Sequence, residues 1–334
     1  MGTHDLDKVA LERYLSATLD GFKGPLHYEK FPGGQSNPTF KLLTPGASYV
    51  LRRKPPGELL KSAHAVDREF RVMQALQGSE VPVPRVLVLC EDNSVIGSMF
   101  YVMEYLDGRV LWESTLPEVE SNEERTAIYQ DMNRVLAALH SVDIDAVGLS
   151  DFGAPGNYYE RQVKRWTSQY RASEGDLIPA METLIEWLPA NMPDDDGLTT
   201  LVHGDYRLDN LMFHATEPRI IAVLDWELAT LGHPLADLAY QIMGWAMPSS
   251  LAGVNRDALG IPSDAAYIAE YCRRTGRDSI ENMNFYMAFC VFRLAAILQG
   301  VWKRAVQGNA SSPEALERGK MVQPLAEMGL PYIK

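Results

Sequence analysis

The chain has 334 residues and a mass of 37.3 kDa, enough for two domains or lobes. Hydrophobic residues make up 46% and charged residues 22%, a globular balance that excludes disorder of the whole chain. Acidic residues outnumber basic ones 44 to 31, giving −13 and a pI near 5.0, which argues against a nucleic-acid binder.

Leu6, Val9, Ala10, Tyr14 and Leu15 recur at helical spacing, and Asp5 is placed to cap. The stretch Phe31 to Pro38 is rich in turn formers. Thr39 to Leu43 and Ser48 to Arg53 follow as strands around the turn Thr44-Pro45-Gly46, so the pair reads as a hairpin. A helix is expected from about Ser62 to Gln77, with Val66, Phe70, Met73 and Leu76 as its apolar stripe and Gly78 as its stop. Arg85 to Leu89 and Met99 to Tyr105 read as further strands. The first hundred-odd residues are thus a mostly antiparallel sheet with one inserted helix.

After Gly108 the composition turns helical. Ser121 and Glu124 are spaced as a capping box, and Ile128, Met132, Val135 and Leu139 continue as an apolar stripe. Helices are expected over Tyr158–Ala172, Ile178–Leu188, Asp237–Met247, Asp264–Thr275 and Glu281–Val306. The last is nearly apolar all round, broken by Arg293, and reads as a central helix. The boundary falls at Glu104 to Gly108, dividing a lobe of residues 1–105 from one of residues 106–334. The fold class is α+β.

One segment carries the chemistry. Leu201-Val202-His203-Gly204-Asp205-Tyr206-Arg207-Leu208-Asp209-Asn210 leads into two apolar runs, Leu211 to Phe213 and Ile220 to Leu224, joined by a polar turn. That is a hairpin, and antiparallel pairing sets the start of its first strand beside the end of its second. Asn210 then stands beside Asp225, with Asp205 on the loop before them. Converging oxygen-bearing side chains suit Mg2+, which takes carboxylates together with substrate phosphates. Asp205 is placed to act as base or orienter for an attacking hydroxyl.

The spacing His203-Gly204-Asp205 to Asn210, followed by a strand and Asp225-Trp226, follows the phosphoryl-transfer template H-R-D-x-x-x-x-N plus a metal-binding Asp. With Gly in place of Arg, it resembles the aminoglycoside phosphotransferase/choline kinase family. More closely still, this run and Asp225-Trp226-Glu227-Leu228-Ala229-Thr230-Leu231-Gly232 resemble the kinase-like domain of acyl-CoA dehydrogenase family members 10 and 11 and their bacterial relatives. The resemblance covers the chain from about Phe31 to the C-terminal helices. It implies a two-lobed protein-kinase-like fold, with an antiparallel sheet and one long helix in the N-terminal lobe and a mostly helical C-terminal lobe. It also implies an ATP- and Mg2+-dependent transfer of phosphate to a hydroxyl of a small molecule.

The same resemblance assigns residues one at a time. Asp205 is the catalytic residue, and Asn210 and Asp225 hold the metal. Ser36 and Asn37, in the loop Gly33-Gly34-Gln35-Ser36-Asn37, are placed to meet phosphate oxygens. Arg52 stands where kinases keep a lysine for the α- and β-phosphates, with Arg53 and Lys54 as alternatives, and Glu69 is its ion-pair partner. Tyr101 to Gly108 is the hinge: the Glu104 carbonyl and Leu106 N–H face the adenine edge, with Met103 behind the ring. Asp237 steadies the catalytic loop, or else serves as a helix-start acid. A literal Asp151-Phe152-Gly153 precedes the catalytic loop in chain order and is read as a plain loop. His140 is read as structural, and His203 as orienting the loop.

The acceptor is open between classes. Glu118 to Glu124 and Asp194 to Asp196 suit a polycationic aminoglycoside or amino alcohol. Arg161, Lys164, Arg165 and Arg171 recur on one helix and favour an anionic acceptor, a hydroxy acid or hydroxyacyl-CoA. A nucleotide-binding pseudokinase is the other reading, since the lysine is missing. Cys90, Cys272 and Cys290 are odd in number and lack CxxC spacing, which fits a reducing compartment. With no secretory leader pattern, a cytoplasmic protein with no membrane and no nucleic-acid partner is expected.

Overall fold

The computed structural model describes residues 5–31, 37–55, 65–173, 175–248, 250–307 and 315–333. The chain forms two compact units, Met1–Leu111 with Asn210–Ala229, and Trp112–Asp209 with Thr230–Lys334. In chain order the elements begin with α1 (Lys8–Thr18), β1 (His27–Lys30), β2 (Thr39–Leu43), β3 (Ser48–Arg53), α2 (Val66–Leu76), β4 (Val86–Cys90), β5 (Phe100–Glu104) and β6 (Gly108–Val110). Then come α3 (Asn122–His140), α4 (Tyr158–Ser173), α5 (Pro179–Ala190), β7 (Thr200–Val202), β8 (Leu211–His214), β9 (Ile220–Val223) and β10 (Thr230–Gly232). The chain ends with α6 (Leu235–Trp245), α7 (Asp264–Thr275), α8 (Met283–Val306), α9 (Ala315–Gly319) and α10 (Val322–Gly329).

The first unit is built on an antiparallel sheet of order β1-β2-β3-β5-β4. Alternation along each strand sends side chains to opposite faces. Phe40, Leu42, Leu51, Phe100 and Val102 point to one face and pack with Leu11 and Leu15 of α1. Arg52 and Tyr101, paired across β3 and β5, point to the other, where Glu69 and Phe70 of α2 meet them. Asp7, not Asp5, caps α1, its Oδ1 accepting the Ala10 N–H at 3.0 Å. Gly78 follows α2 at φ +81°, a left-handed stop that suits glycine.

The hairpin β8–β9 and the one-turn helix Trp226–Leu228 also belong to this unit. A third strand, β6, pairs with β8 and was not expected from sequence. A Cβ on Gly108 would sit 2.5 Å from the Phe213 carbonyl oxygen, so only glycine allows this approach.

In the second unit the helices gather on α8, which packs against α4, α5, α6, α9 and α10. By length and composition α8 could cross a membrane, yet 72% of its apolar window is buried inside the protein, as suits a core helix. Ser121 caps α3 by accepting the Glu124 N–H at 3.0 Å, as its spacing predicts. The two-stranded ribbon β7–β10 ends at His203, where the loop with the chemistry begins.

Candidate active site

The first unit assembles a buried cation among carboxylates. Arg52 Nε lies 2.9 Å from Glu69 Oε2, and its Nη2 lies 2.6 Å from Asp225 Oδ1 and 4.0 Å from Glu227 Oε2. Burial opposes the charge on Arg52, but Glu69, Tyr101, Asp225 and Glu227 outweigh it and raise its pKa. Glu69 is pushed up to about 7, by burial first, with Arg52 pulling the other way. The strand period decides among the three basic neighbours. Arg53 points to the opposite face, buried beside Phe40 with Nη1 donating to the Ile96 carbonyl at 3.2 Å. Lys54 pairs with Asp67 at 3.3 Å.

Asn37 differs from its expected place at phosphate oxygens. It is fully buried, and its amide donates to Glu69 Oε1 at 2.7 Å while the Tyr101 hydroxyl donates to Oε2 at 3.1 Å. A buried carboxylate needs such donors, and Asn37 supplies one. Ser36, with Gly33, Gly34 and Gln35, lies outside the described residues.

Asp225 stands at φ +62°, ψ +62°, a left-handed conformation that Asp adopts more readily than most non-glycine residues. On the hairpin, Leu211 pairs with Val223 and the Leu224 N–H donates to the Asn210 carbonyl at 2.8 Å. The ladder therefore sets Asn210 opposite Leu224, one residue short of Asp225. Carboxylate oxygens of Glu69, Asp225 and Glu227 lie within 4.8 Å of one another. The three converge on the Arg52 guanidinium, and of the set Asp225 and Glu227 keep enough exposure for a hard divalent cation to reach their oxygens. Glu227 is a member that sequence reasoning missed, although the Asp-Trp-Glu triplet displayed it.

The expected hinge residues fall at the end of β5. Met103 is buried, Glu104 carries a carboxylate that accepts the Arg85 N–H at 2.8 Å, and Leu106 follows, half-buried.

The second unit holds the loop that carries Asp205. Asp237, buried at the start of α6, accepts the His203 N–H at 2.6 Å on Oδ2 and the Gly204 N–H at 2.8 Å on Oδ1. His140 Nε2 lies 3.3 Å from the same carboxylate, and its Nδ1 lies 2.7 Å from the Tyr271 hydroxyl. Burial tends to raise the Asp237 pKa, but the His140 hydrogen bond and the nearby histidines and amides prevail and lower it. Of its two readings, Asp237 is thus the loop-steadying one, and His140 supports it. His203 Nδ1 accepts the Asp205 N–H at 3.2 Å, an orienting role. Gly204 sits at φ +84°, which explains glycine between His203 and Asp205.

Asp205 is partly exposed, and Arg207 Nε lies 3.6 Å from its Oδ2 while Arg207 Nη2 donates to Asp209 at 2.6 Å. Burial and the facing Asp205 carboxylate raise the Tyr240 pKa, keeping that hydroxyl protonated. Arg207 and Tyr240 line a cavity of about 330 Å³ with Trp112, Met243, Met247 and Leu294. Neither residue stood out in the sequence.

The basic side chains of α4 find partners close by. Arg161 donates to the carbonyls of Ala154, Pro155 and Gly156, and Arg171 holds Glu182 with two bonds of 2.6 and 2.5 Å. Arg165 lies over the Trp166 ring at 5.1 Å. These side chains tie the helix to its own surroundings. Asp151 to Gly153 forms a turn, as read.

The model of the Phosphotransferase enzyme family matches residues 27–286. Acyl-CoA dehydrogenase family member 10 of Mus musculus is 51% identical over 333 residues, covering 98% of this chain and 31% of that protein. Acyl-CoA dehydrogenase family member 11 of Homo sapiens is 45% identical over 340 residues, covering 99% and 44%. The chain thus spans less than half the length of these relatives. A crystal structure named as a candidate aminoglycoside phosphotransferase from Ralstonia eutropha superposes with a TM-score of 0.90 at 54% identity, covering 98% of both chains. A thermostable mutant of the aminoglycoside phosphotransferase APH(4)-Ia, in ternary complex with AMP-PNP and hygromycin B, shares the fold at TM-score 0.66 and 17% identity, covering 97% of this chain and 98% of that one.

Proposed function

The chain belongs to the phosphotransferase enzyme family and has its protein-kinase-like fold, and on that premise we propose that it transfers the γ-phosphoryl group of ATP to a hydroxyl of a small molecule. This reading rests on one arrangement: the His203-Gly204 peptide clamped by Asp237, which presents Asp205 next to a cavity of small-molecule size. In that setting the acceptor hydroxyl donates to Asp205, which aligns the oxygen and takes its proton as the new P–O bond forms, while the bond from the γ-phosphorus to the bridging oxygen breaks and ADP leaves. Arg52 supplies a guanidinium for phosphate oxygens, held in line by Glu69. Asp225 and Glu227, with Asn210 at the start of the same hairpin, would hold a magnesium ion, which would neutralise phosphate charge. Three buried free thiols fit the cytoplasmic setting we assign to it.

For the acceptor, the cavity supports a hydroxy acid or hydroxyacyl-CoA. Its walls include Trp112, Met243, Met247 and Leu294, which suit an acyl chain, and Arg207 at its edge suits a carboxylate or phosphate. Relatives that carry acyl-CoA dehydrogenase in their names accord with an acyl substrate. The second reading, an aminoglycoside or amino-alcohol kinase, draws on Glu113 and Asp209 in the same lining. The test is Mg2+-dependent phosphate transfer from ATP, screened over hydroxyacyl-CoAs, hydroxy acids, amino alcohols and aminoglycosides. Transfer to hydroxyacyl-CoAs alone supports the first reading. Transfer to aminoglycosides alone establishes the second, and no transfer or ATP turnover with any acceptor returns the chain to a nucleotide-binding pseudokinase.

A further inference from the structure

Arg293 breaks the apolar run of α8 and is only 7% exposed. A buried cation is costly unless its donors are met. Among the described residues no carboxylate lies within ion-pair distance of it. Its Nη2 donates instead to the Gly204 carbonyl at 3.0 Å, and its guanidinium lies over the rings of Tyr240 at 5.6 Å and Trp166 at 5.9 Å.

That carbonyl belongs to the peptide linking Gly204 to Asp205. The N–H of the same peptide donates to His203 Nδ1, so the plane is held on both edges. The preceding peptide is held by Asp237 through the Gly204 N–H. Glycine tolerates many backbone conformations, and fixing both adjoining planes removes that freedom. The direction of the Asp205 side chain follows from the plane that precedes it.

We propose that Arg293 is a positioning residue for phosphoryl transfer: by holding the Gly204 carbonyl it aims the Asp205 carboxylate at the acceptor. Arginine suits the task because its flat faces pack on aromatic rings while an edge donor reaches the carbonyl. The role rests on the phosphotransferase reading, and it concerns a residue outside the loop it controls.

The test uses purified full chain, Mg-ATP, and water as the acceptor, with ADP release as readout. Arg293→Met should lower kcat about 100-fold, the scale of a small misplacement of a reacting group, and leave KM for ATP within about twofold. Arg293→Lys, which keeps a donor and the charge, should recover about tenfold of that loss. In an Asp205→Asn background, Arg293→Met should change kcat by less than about twofold, because its effect passes through Asp205. Hydrogen exchange at the Gly204 and Asp205 amides should be faster in Arg293→Lys than in the unmodified protein. Unchanged kcat in Arg293→Met, full additivity with Asp205→Asn, or unchanged exchange in Arg293→Lys overturns the proposal. Should Arg293→Met fail to fold, kcat and exchange in Arg293→Lys decide alone. An unmodified protein without ATP turnover defeats the functional reading instead, while the exchange measurement still judges the hold on the loop.

Discussion

Arg52 and Asp225 lie 173 residues apart in the chain and 2.6 Å apart in space. The pair joins strand β3 to the residue after hairpin β8–β9, and Glu69 of α2 completes it from the other side. The guanidinium so placed is buried, doubly paired and fixed in direction. A lysine's point charge offers no such fork, which gives a physical reason for arginine at this position.

Asp205→Asn removes the proton acceptor while keeping shape. Turnover should fall by about 10²–10⁴-fold, the range for losing general-base help, with KM for ATP little changed. Steady-state kinetics checks this. Turnover equal to the unmodified protein would sink the assignment.

Asp225→Ala removes one carboxylate of the acidic set. Mg2+-dependent ATP binding should disappear in calorimetry, whereas Asp151→Ala, on an exposed turn, should leave it intact. The opposite order would move the metal role to the literal Asp-Phe-Gly.

Arg52→Ala leaves Glu69 buried without its ion-pair partner. KM for ATP should rise at least about tenfold, and stability should fall by roughly 3–5 kcal/mol, as for breaking a buried pair. Lys54→Ala, at a partly exposed pair with Asp67, should cost about 0–1 kcal/mol and leave KM alone. A larger KM effect at Lys54 would reassign the phosphate contact.

Arg207→Ala concerns the acceptor. With a hydroxyacyl-CoA as probe, KM for that acceptor should rise about tenfold while KM for ATP holds, and the difference should shrink in high salt. An unaltered acceptor KM would take anion recognition away from this residue.

Asp237 links the loop to acid stability. Its pKa is lowered in the folded protein, so it binds a proton less readily there than in the unfolded chain. Its contribution is complete above the unfolded value, near 3.8, and is lost as pH falls through the lower folded one. Asp237→Asn should therefore cost roughly 1–3 kcal/mol near neutral pH, from one of the two buried amides losing its acceptor, and less in strong acid. Denaturant titrations at pH 7 and below pH 3 test the trend. An equal cost at both pH values would detach the effect from ionisation.

Local patterning alone was enough to read the fold class. The period of two in Thr39–Leu43 and Ser48–Arg53, the apolar stripe of α2, the Ser121–Glu124 cap and the apolar α8 each express one element's burial, which neighbouring residues encode. The spacing from His203 to Asn210 and the following Asp225 could be read as a template because those residues are close in sequence, the loop leading straight into one hairpin. What tertiary structure decided were contacts between distant segments. Arg52 rather than Arg53 faces Glu69 because the strand pleat and the packing of α2 together choose the face. The basic residues of α4 satisfy local carbonyls and Glu182, since a charged side chain bonds whatever the fold brings within reach. Arg293 lies 89 residues from Gly204, and no periodicity in α8 could announce a hydrogen bond formed only when α8 packs beneath the loop.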